Sequence, residues 1–486
     1  MPMQSRTDQV HSYQFFLQRV VSGLVTKESD PADLPFRRLG WSGFGSVMLA
    51  VVVAAGFGIY GILVGGGATS WQDGRSVIVE KETGTPYIFR DQRLYPMVNF
   101  VSARLALPAG AGVVRVSARS LAGVPRGPAL GIPGAPPGLP SSGKLLTGGW
   151  TLCSEAVPDG RGGRSERSVL AVGQPAPGGE LVAEDQAVLV RDAAAAGSEL
   201  HLVWHGHRFA LAATEPVRTA LGFTRERALP VAPAWLDALP VGEPISPPAA
   251  GERGEPTAAL GDLREDRAIR TGQVLAAGGA YYLVREAELR EVTPLQRDLL
   301  LSDPDTAAAY PETTPDVVEV PTALIANAVI DPRPGRRTTS PPETRPELHP
   351  FVAEDLRDGA VCAAYQPGVP TPVIVAGARL PGAAGGIPSP GVSARGGLLV
   401  DVVLVAGGAA ALVQAAPSPE LAGGTLHLVT DQGFRYGLPG LEVAAGLGYD
   451  PGRLVRLPAG LVARLPAGPM LDPAAALRPV PPAGPA

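Results

Sequence analysis

Lysine is almost missing from this chain. Lys27, Lys81 and Lys144 are the only three, although lysine and arginine together number 41. The basic residues are therefore nearly all arginine, interspersed with 46 acidic residues for a net charge of −5. Without a basic block, no nucleic-acid partner is expected. Aromatics are scarce too, at 11 Phe, 10 Tyr and 5 Trp in 486 residues, so burial must rest on Val, Leu and Ala. Cysteine is scarcer still: Cys153 and Cys362 are the only two. That excludes a disulfide-dense scaffold. It also excludes a cysteine-built metal site, because neither has a His or a second Cys nearby in sequence.

Charge itself is absent from one long stretch. Nothing between Arg38 and Asp73 is charged, and residues 43–67 read GFGSVMLAVVVAAGFGIYGILVGGG. Crossing a bilayer as a helix takes ~20 apolar residues, whereas a soluble core helix of this length would carry a polar face. The pattern predicts a transmembrane helix over 41–67. Its small residues permit close helix–helix contact, and simple anchoring in lipid accounts for the run equally well. Arg37 and Arg38 precede the run and Asp73 follows it. The positive-inside rule then places residues 1–40 in the cytoplasm and 75–486 outside, on a single-pass protein of the cytoplasmic membrane. A cleaved signal peptide would need a charged leader about 40 residues long, beyond the usual n-region. Two cysteines on an exported, oxidising side are expected to form one disulfide, Cys153–Cys362.

Glycine (61) and proline (52) are abundant, which points to turns and short strands. Part of the text is said twice. HLVWHGHRFALAATEPVRTALGF begins at His201, and HLVTDQGFRYGLPGLEVAAGLGY begins 226 positions later at His427. LPVGEPISP (239–247) and LPAGPMLDP (465–473) keep the same offset. Related stretches occur at 86–107 and 280–301. Each reads as strand, turn, strand and short amphipathic helix, a unit of about 22 residues that is too small to bury a core alone.

The expected fold is therefore a single N-terminal transmembrane helix followed by a β-rich α+β exported domain. An internal duplication is expected, with halves at 75–250 (repeats near 77–107 and 200–223) and 270–474 (repeats near 280–301 and 427–449). The Val- and Leu-rich strands between repeats build a central β-sheet domain carrying the four small units. The halves are expected to pack about a pseudo-twofold axis in an elongated body, with the disulfide at the axis. Residues 244–260 and 331–350 read as Pro-rich loops, and 475–486 as a disordered tail. Before the membrane, Val10, Tyr13, Phe16, Leu17, Val20, Val21 and Leu24 lie at helical spacing. They predict an amphipathic cytoplasmic helix for membrane or partner contact.

The order of these features resembles the EccB family, the single-span membrane component of the type VII (ESX) secretion systems of actinobacteria. The resemblance is carried by QVHSYQFFLQRV before the span, RLYPMVNFVSARL (93–105), GVPRGPALGIPGAP (123–136), the paired cysteines, YYLV, and LVTDQGFRYGLP with LGY. It covers essentially the whole chain. It implies a subunit with a large exported domain, oligomeric within its complex. Its partners would be EccC (the cytoplasmic motor), EccD and EccE, besides membrane lipid. The chain departs from the family in a less basic N-terminal arm and in long Pro/Gly insertions.

Three chemical readings compete with a structural role. GLPSSGKL (Gly138, Gly143, Lys144) fits the phosphate-loop spacing, but Leu145 stands where Ser or Thr would hold magnesium and no strand launches the loop. Some descriptions of EccB-like proteins call them ATPases. ATP is thus a cofactor only if that label applies here, and no cofactor is otherwise expected. His201, His205 and His207 lie at strand spacing for a metal, yet the second copy carries Asp431 and Gly433 in place of the last two, so no metal site is expected. Glu286, Glu288 and Glu291 read as solvated charge. No catalytic Ser/His/Asp or Cys/His set is recognisable. An extracytoplasmic cell-wall-binding module would display aromatics on the small units, with Tyr87, Trp204, Phe209, Tyr281, Tyr282 and Tyr436 as candidates for contact with wall polymer.

Overall fold

The computed structural model describes residues 6–27, 35–65, 70–175, 178–195, 199–212, 214–224, 228–260, 269–351, 359–380, 385–417 and 423–481. The first five residues, the last two of the expected 41–67 span and the tail beyond 481 lie outside them. The chain divides into two bodies. One holds residues 1–73 with 80–83 and 115–124; the other holds the rest.

In the first body, α1 (Arg6–Thr26) is a single helix with Val10, Tyr13, Phe16, Leu17, Val20 and Leu24 exposed. Helix α2 (Pro35–Gly65) starts at a proline, which suits a first helical position. Its stretch Trp41–Tyr60 is the one segment, among the described residues, long and apolar enough to cross a membrane.

The second body is built from one small design used four times. Module 1 contains β1 (Ser76–Glu80), β2 (Pro86–Arg90), β3 (Arg93–Pro96), α3 (Phe100–Leu105) and β4 (Gly112–Val116), followed in the chain by α4 (Ala118–Leu121). Next come three strands of a central sheet: β5 (Trp150–Pro158), β6 (Arg164–Ala171) and β7 (Glu180–Leu181). Module 2 contains β8 (Gln186–Asp192), β9 (Leu200–Trp204), β10 (His207–Ala210), α5 (Thr214–Leu221), β11 (Leu229–Val231) and α6 (Pro233–Ala238). Module 3 contains β12 (Val274–Ala277), β13 (Ala280–Val284), β14 (Leu289–Val292), α7 (Pro294–Ser302), β15 (Val318–Glu319), α8 (Thr322–Ile325) and β16 (Ile330–Asp331). After β17 (Glu347–Leu348), the central sheet resumes with β18 (Ala360–Tyr365), β19 (Val373–Ala378), β20 (Ile387–Pro388) and β21 (Val402–Leu404). Module 4 contains β22 (Ala410–Ala416), β23 (Thr425–Thr430), β24 (Arg435–Leu438), α9 (Leu441–Gly446), β25 (Val455–Pro458) and α10 (Ala459–Val462); α11 (Pro473–Ala476) ends the described helices.

Each module has its first three strands as an antiparallel meander and its fourth strand beside the first, giving the order third-second-first-fourth. The helix between third and fourth strands supplies the crossover that parallel pairing demands, and β11, β15 and β25 do pair parallel to β8, β12 and β22. After the fourth strand and its short helix, the chain returns to bridge the third strand in parallel: Leu94–Arg126, Arg208–Val241, Leu289–Ile330 and Arg435–Ala467. The module is thus larger than the hairpin and helix read from sequence.

Local sequence explains the tight parts. Three hairpins turn on two residues with positive φ: Asp91-Gln92, His205-Gly206 and Gly278-Gly279. This is the turn geometry that matches strand twist. Asn99 caps α3 by accepting from Ser102 N–H at 2.8 Å, and Thr293 with Gln296 forms a capping box on α7.

One repeated glycine has a steric cause. A Cβ built on Gly127, Gly242 or Gly468 would overlap the ring of Tyr95, Phe209 or Tyr436 on the neighbouring third strand. In module 3 the corresponding pair is Arg290 and Asp331, with the guanidinium 4.0 Å from the carboxylate. The LPxG stretches are therefore places where backbone lies directly on an aromatic face.

The C-terminal reading needs correction. Residues 473–481 are ordered: Asp472 caps α11, Ala476 is fully buried, and Pro479 bridges Leu130. Val480 N–H donates to Ala129 and Gly131 N–H to Arg478. Composition suggested disorder because prolines and small residues carry little burial signal, yet extended Pro-rich backbone can still pair along an edge.

Candidate functional site

The largest sheet of the second body is the seven-stranded sheet β20-β21-β6-β5-β18-β19-β7. Its middle strand, β5, pairs antiparallel with β18. Cys153 faces Cys362, Leu152 faces Ala363 and Ser154 faces Val361. Cys153 and Cys362 are disulfide-bonded across this ladder, with Cα atoms 4.0 Å apart and both residues fully buried. Around them lie Ala360, Val375 and Ala378.

Side chains alternate along a strand, so the neighbours of the cysteines face the other way. Trp150, Leu152, Val361, Ala363 and Tyr365 join a core with Val188, Val190 and Trp235 of module 2 and with Val413, Val455 and Leu461 of module 4. Polar groups fix this face. Ser154 Oγ accepts from Ala232 N–H at 2.9 Å and donates to Glu166; Tyr365 donates to the Ala238 carbonyl at 3.1 Å. Burial pushes the Glu166 carboxyl up, and it pushes the Tyr365 hydroxyl up strongly. Asp237 on α6 accepts from Arg208 at 2.9 Å and from Arg464 at 2.7 Å, tying module 2 to module 4.

The outer modules dock crosswise. Val101 and Leu105 of module 1 pack with Leu428, Tyr436, Val443 and Leu447 of module 4. Leu295 and Leu299 of module 3 pack with Val217, Leu221 and Phe223 of module 2. The two stretches most specific to the sequence resemblance meet in module 1. Asn99 donates to the Ile132 carbonyl, Ser102 Oγ accepts from Ile132 N–H, and Leu130 N–H donates to Pro96.

The phosphate-loop look-alike lies in a strap. Ser142–Lys144 is one turn of 3-10 helix, and Leu145 is buried and bridges Ala410. Tyr449 donates to the Pro140 carbonyl at 2.9 Å, and Arg453 donates to Ser142 at 3.3 Å and to Leu145 at 2.6 Å. Lys144 N–H donates back to the Ser141 carbonyl. A phosphate loop aims backbone N–H groups at an anion and opens a helix; here the carbonyls are taken by module 4. The residues 331–350, read as a Pro-rich loop, form the matching strap on module 2. Glu347 and Leu348 pair parallel with Gln186 and Ala187, Arg345 lies over Phe223, and Arg336 lies over Trp204.

The three clustered histidines are dispersed by their strand. His201 is half-buried and His205 sits in the turn, stacked on Trp204 at 3.9 Å. His207 Nδ1 lies 3.2 Å from the His205 carbonyl. Burial lowers the pKa of His201 and His207. Among the described residues no three His, Cys, Asp or Glu side chains gather at metal-binding distance. Glu288 and Glu291 each pair with an arginine, Arg285 and Arg333, and Glu286 is exposed. Of the six aromatics considered for wall contact, Tyr87, Phe209 and Tyr436 are buried. Trp204, Tyr281 and Tyr282 are half-buried, with Arg297 over Tyr281.

The family model "Type VII secretion system ESX-1, transport TM domain B" matches residues 3–480. The chain is 27% identical over 428 residues to "ESX-2 secretion system ATPase EccB2" of Mycobacterium tuberculosis, covering 83% of this chain and 81% of that protein. It is 26% identical over 479 residues to "ESX-1 secretion system ATPase EccB1" of Mycolicibacterium smegmatis, covering 96% and 94%. Among solved structures, the fold recurs in a chain of "Structure of an intact ESX-5 inner membrane complex", with TM-score 0.59, 24% identity, and coverage of 100% of this chain and 97% of that one. It recurs in "Structure of EccB3 dimer from the ESX-3 core complex", with TM-score 0.58, 22% identity, and coverage of 83% and 100%. The chain belongs to the EccB family of type VII secretion membrane components.

Proposed function

We propose that this protein is a structural core subunit of a type VII (ESX) secretion complex, anchored by α2 with its N-terminus in the cytoplasm and its second body outside. The observation that carries the reading is the family match across residues 3–480, together with a body whose modules are joined by packing and cross-ties. The flanking charges, Arg37 and Arg38 before the span and Asp73 after it, support the orientation. The partners proposed are EccC, EccD and EccE, with further copies of the chain in the same assembly. Purification of the tagged chain in mild detergent, followed by identification of co-migrating membrane proteins, tests this.

The two halves are proposed to descend from a duplication about a pseudo-twofold axis through Cys153 and Cys362. Support comes from the strand order β6-β5-β18-β19, from the pairing register about the two cysteines, and from the corresponding straps at Leu145–Ala410 and Glu347–Gln186.

The ATPase in the relatives' names is the second reading. The segment with phosphate-loop spacing, Gly138, Gly143 and Lys144, is embedded in the strap on module 4. The role proposed for that segment here is mechanical, with no cofactor.

A further inference from the structure

Contacts in the exported body do not follow the order of the chain. Module 1 packs with module 4, and module 3 packs with module 2. In the central sheet, β7 of the first half lies against β19 of the second, while β21 of the second lies against β6 of the first. The strap at 138–146 leaves module 1 and runs along β22 of module 4; the strap at 336–349 leaves module 3 and runs along β8 of module 2. Residues 253–256, downstream of module 2, reach module 3, where Arg253 pairs with Asp303 at 2.6 Å and Pro256 bridges Arg270.

We infer that the exported body is an arm-exchanged pair of halves, each completed by the other, and that neither half is a folding unit by itself. Physical chemistry gives the reason. Without β18, the nine-residue strand β5 is an open sheet edge. Without module 4, Val101 and Leu105 of α3 lose their cover; without module 2, so do Leu295 and Leu299 of α7. A two-residue strand such as β7 has no stability apart from its partner. Had each half folded on itself, module 1 would cover module 2. The functional consequence is that a partner-binding face shared by modules 1 and 4, or by 2 and 3, is absent from any fragment carrying one half. This inference rests on the contacts and the chain order, independently of the secretion role.

The test places a protease site within residues 261–268 of the full chain, after showing that the uncut variant melts like the parent. Once cut and with Cys153–Cys362 reduced, the fragments should co-elute at the intact size. They should melt in one transition whose midpoint rises with protein concentration, as a bimolecular fold requires. Two folded fragments that separate, or two transitions independent of concentration, would overturn the inference. If the inserted site disturbs folding, native-state hydrogen exchange on the uncut parent decides. Amides of α3 and α9 should open together; α3 opening in step with module 2 while α9 stays protected would overturn it.

Discussion

Cys153 and Cys362 stand directly opposite each other at the middle of the β5–β18 ladder, 209 residues apart in the chain and 4.0 Å apart at Cα. Closing so long a loop restricts the unfolded chain. On the chain-entropy model that contributes up to about 5 kcal/mol. The double substitution Cys153→Ala/Cys362→Ala is expected to lower stability by about 2–5 kcal/mol while leaving the folded circular dichroism spectrum unchanged, because hydrogen bonds and the packed face of Trp150 and Tyr365 remain. Denaturant melting of the two proteins measures it; equal midpoints would show that the bond contributes nothing.

Gly468 lies under the Tyr436 ring. Gly468→Ala must displace that ring or the backbone, at about 1–3 kcal/mol. A combined Tyr436→Ala change makes room for the methyl, so the added cost of Gly468→Ala should shrink in that background. A double-mutant cycle by thermal melting reads the coupling; strict additivity would refute the clamp.

His427 is buried on β23, and burial with the nearby Arg435 charge pushes its pKa down to about 4 from the ordinary 6.5. A base depressed in the folded state binds its proton more readily when unfolded. Its contribution is therefore whole above pH 6.5 and is lost as pH falls toward 4, amounting to about 3 kcal/mol. His427→Leu should flatten this part of the stability curve. An unchanged slope between pH 6.5 and 4 would count against the burial of a neutral imidazole there.

In the strap, Lys144 and Arg453 should behave oppositely. Lys144→Ala is expected to change neither stability nor any ATP turnover of the purified protein. Arg453→Ala removes the donors to Ser142 and Leu145 and should cost about 1–3 kcal/mol. ATP hydrolysis by the parent that vanishes in Lys144→Ala would reinstate the nucleotide reading.

The sequence carried the apolar run of α2, the Cys153–Cys362 pair and the hairpin-plus-helix cores, because each leaves a dense local signal: uncharged length, rarity or repetition. The remainder of each module was not legible. Strands such as β15 and β16 are two residues long and pair in parallel with distant partners, so they have no periodicity of their own. The straps at 138–146 and 336–349 read as loops because their order comes from groups elsewhere: Tyr449 and Arg453 for one, Gln186 and Phe223 for the other. The ordered end at 473–481 was missed for the same reason. The role of Asn99 was hidden inside a motif recognised only as text, and its cap becomes clear once Ile132 is seen beside it.

As an EccB-family chain, this protein is a structural member of a type VII secretion complex. The most direct measurement is the mass and composition of what the tagged chain brings out of membranes in mild detergent. One large assembly is expected, containing several copies of this chain with EccC, EccD and EccE, and intact after Lys144→Ala. A chain recovered alone from membranes in which those components are present would contradict it.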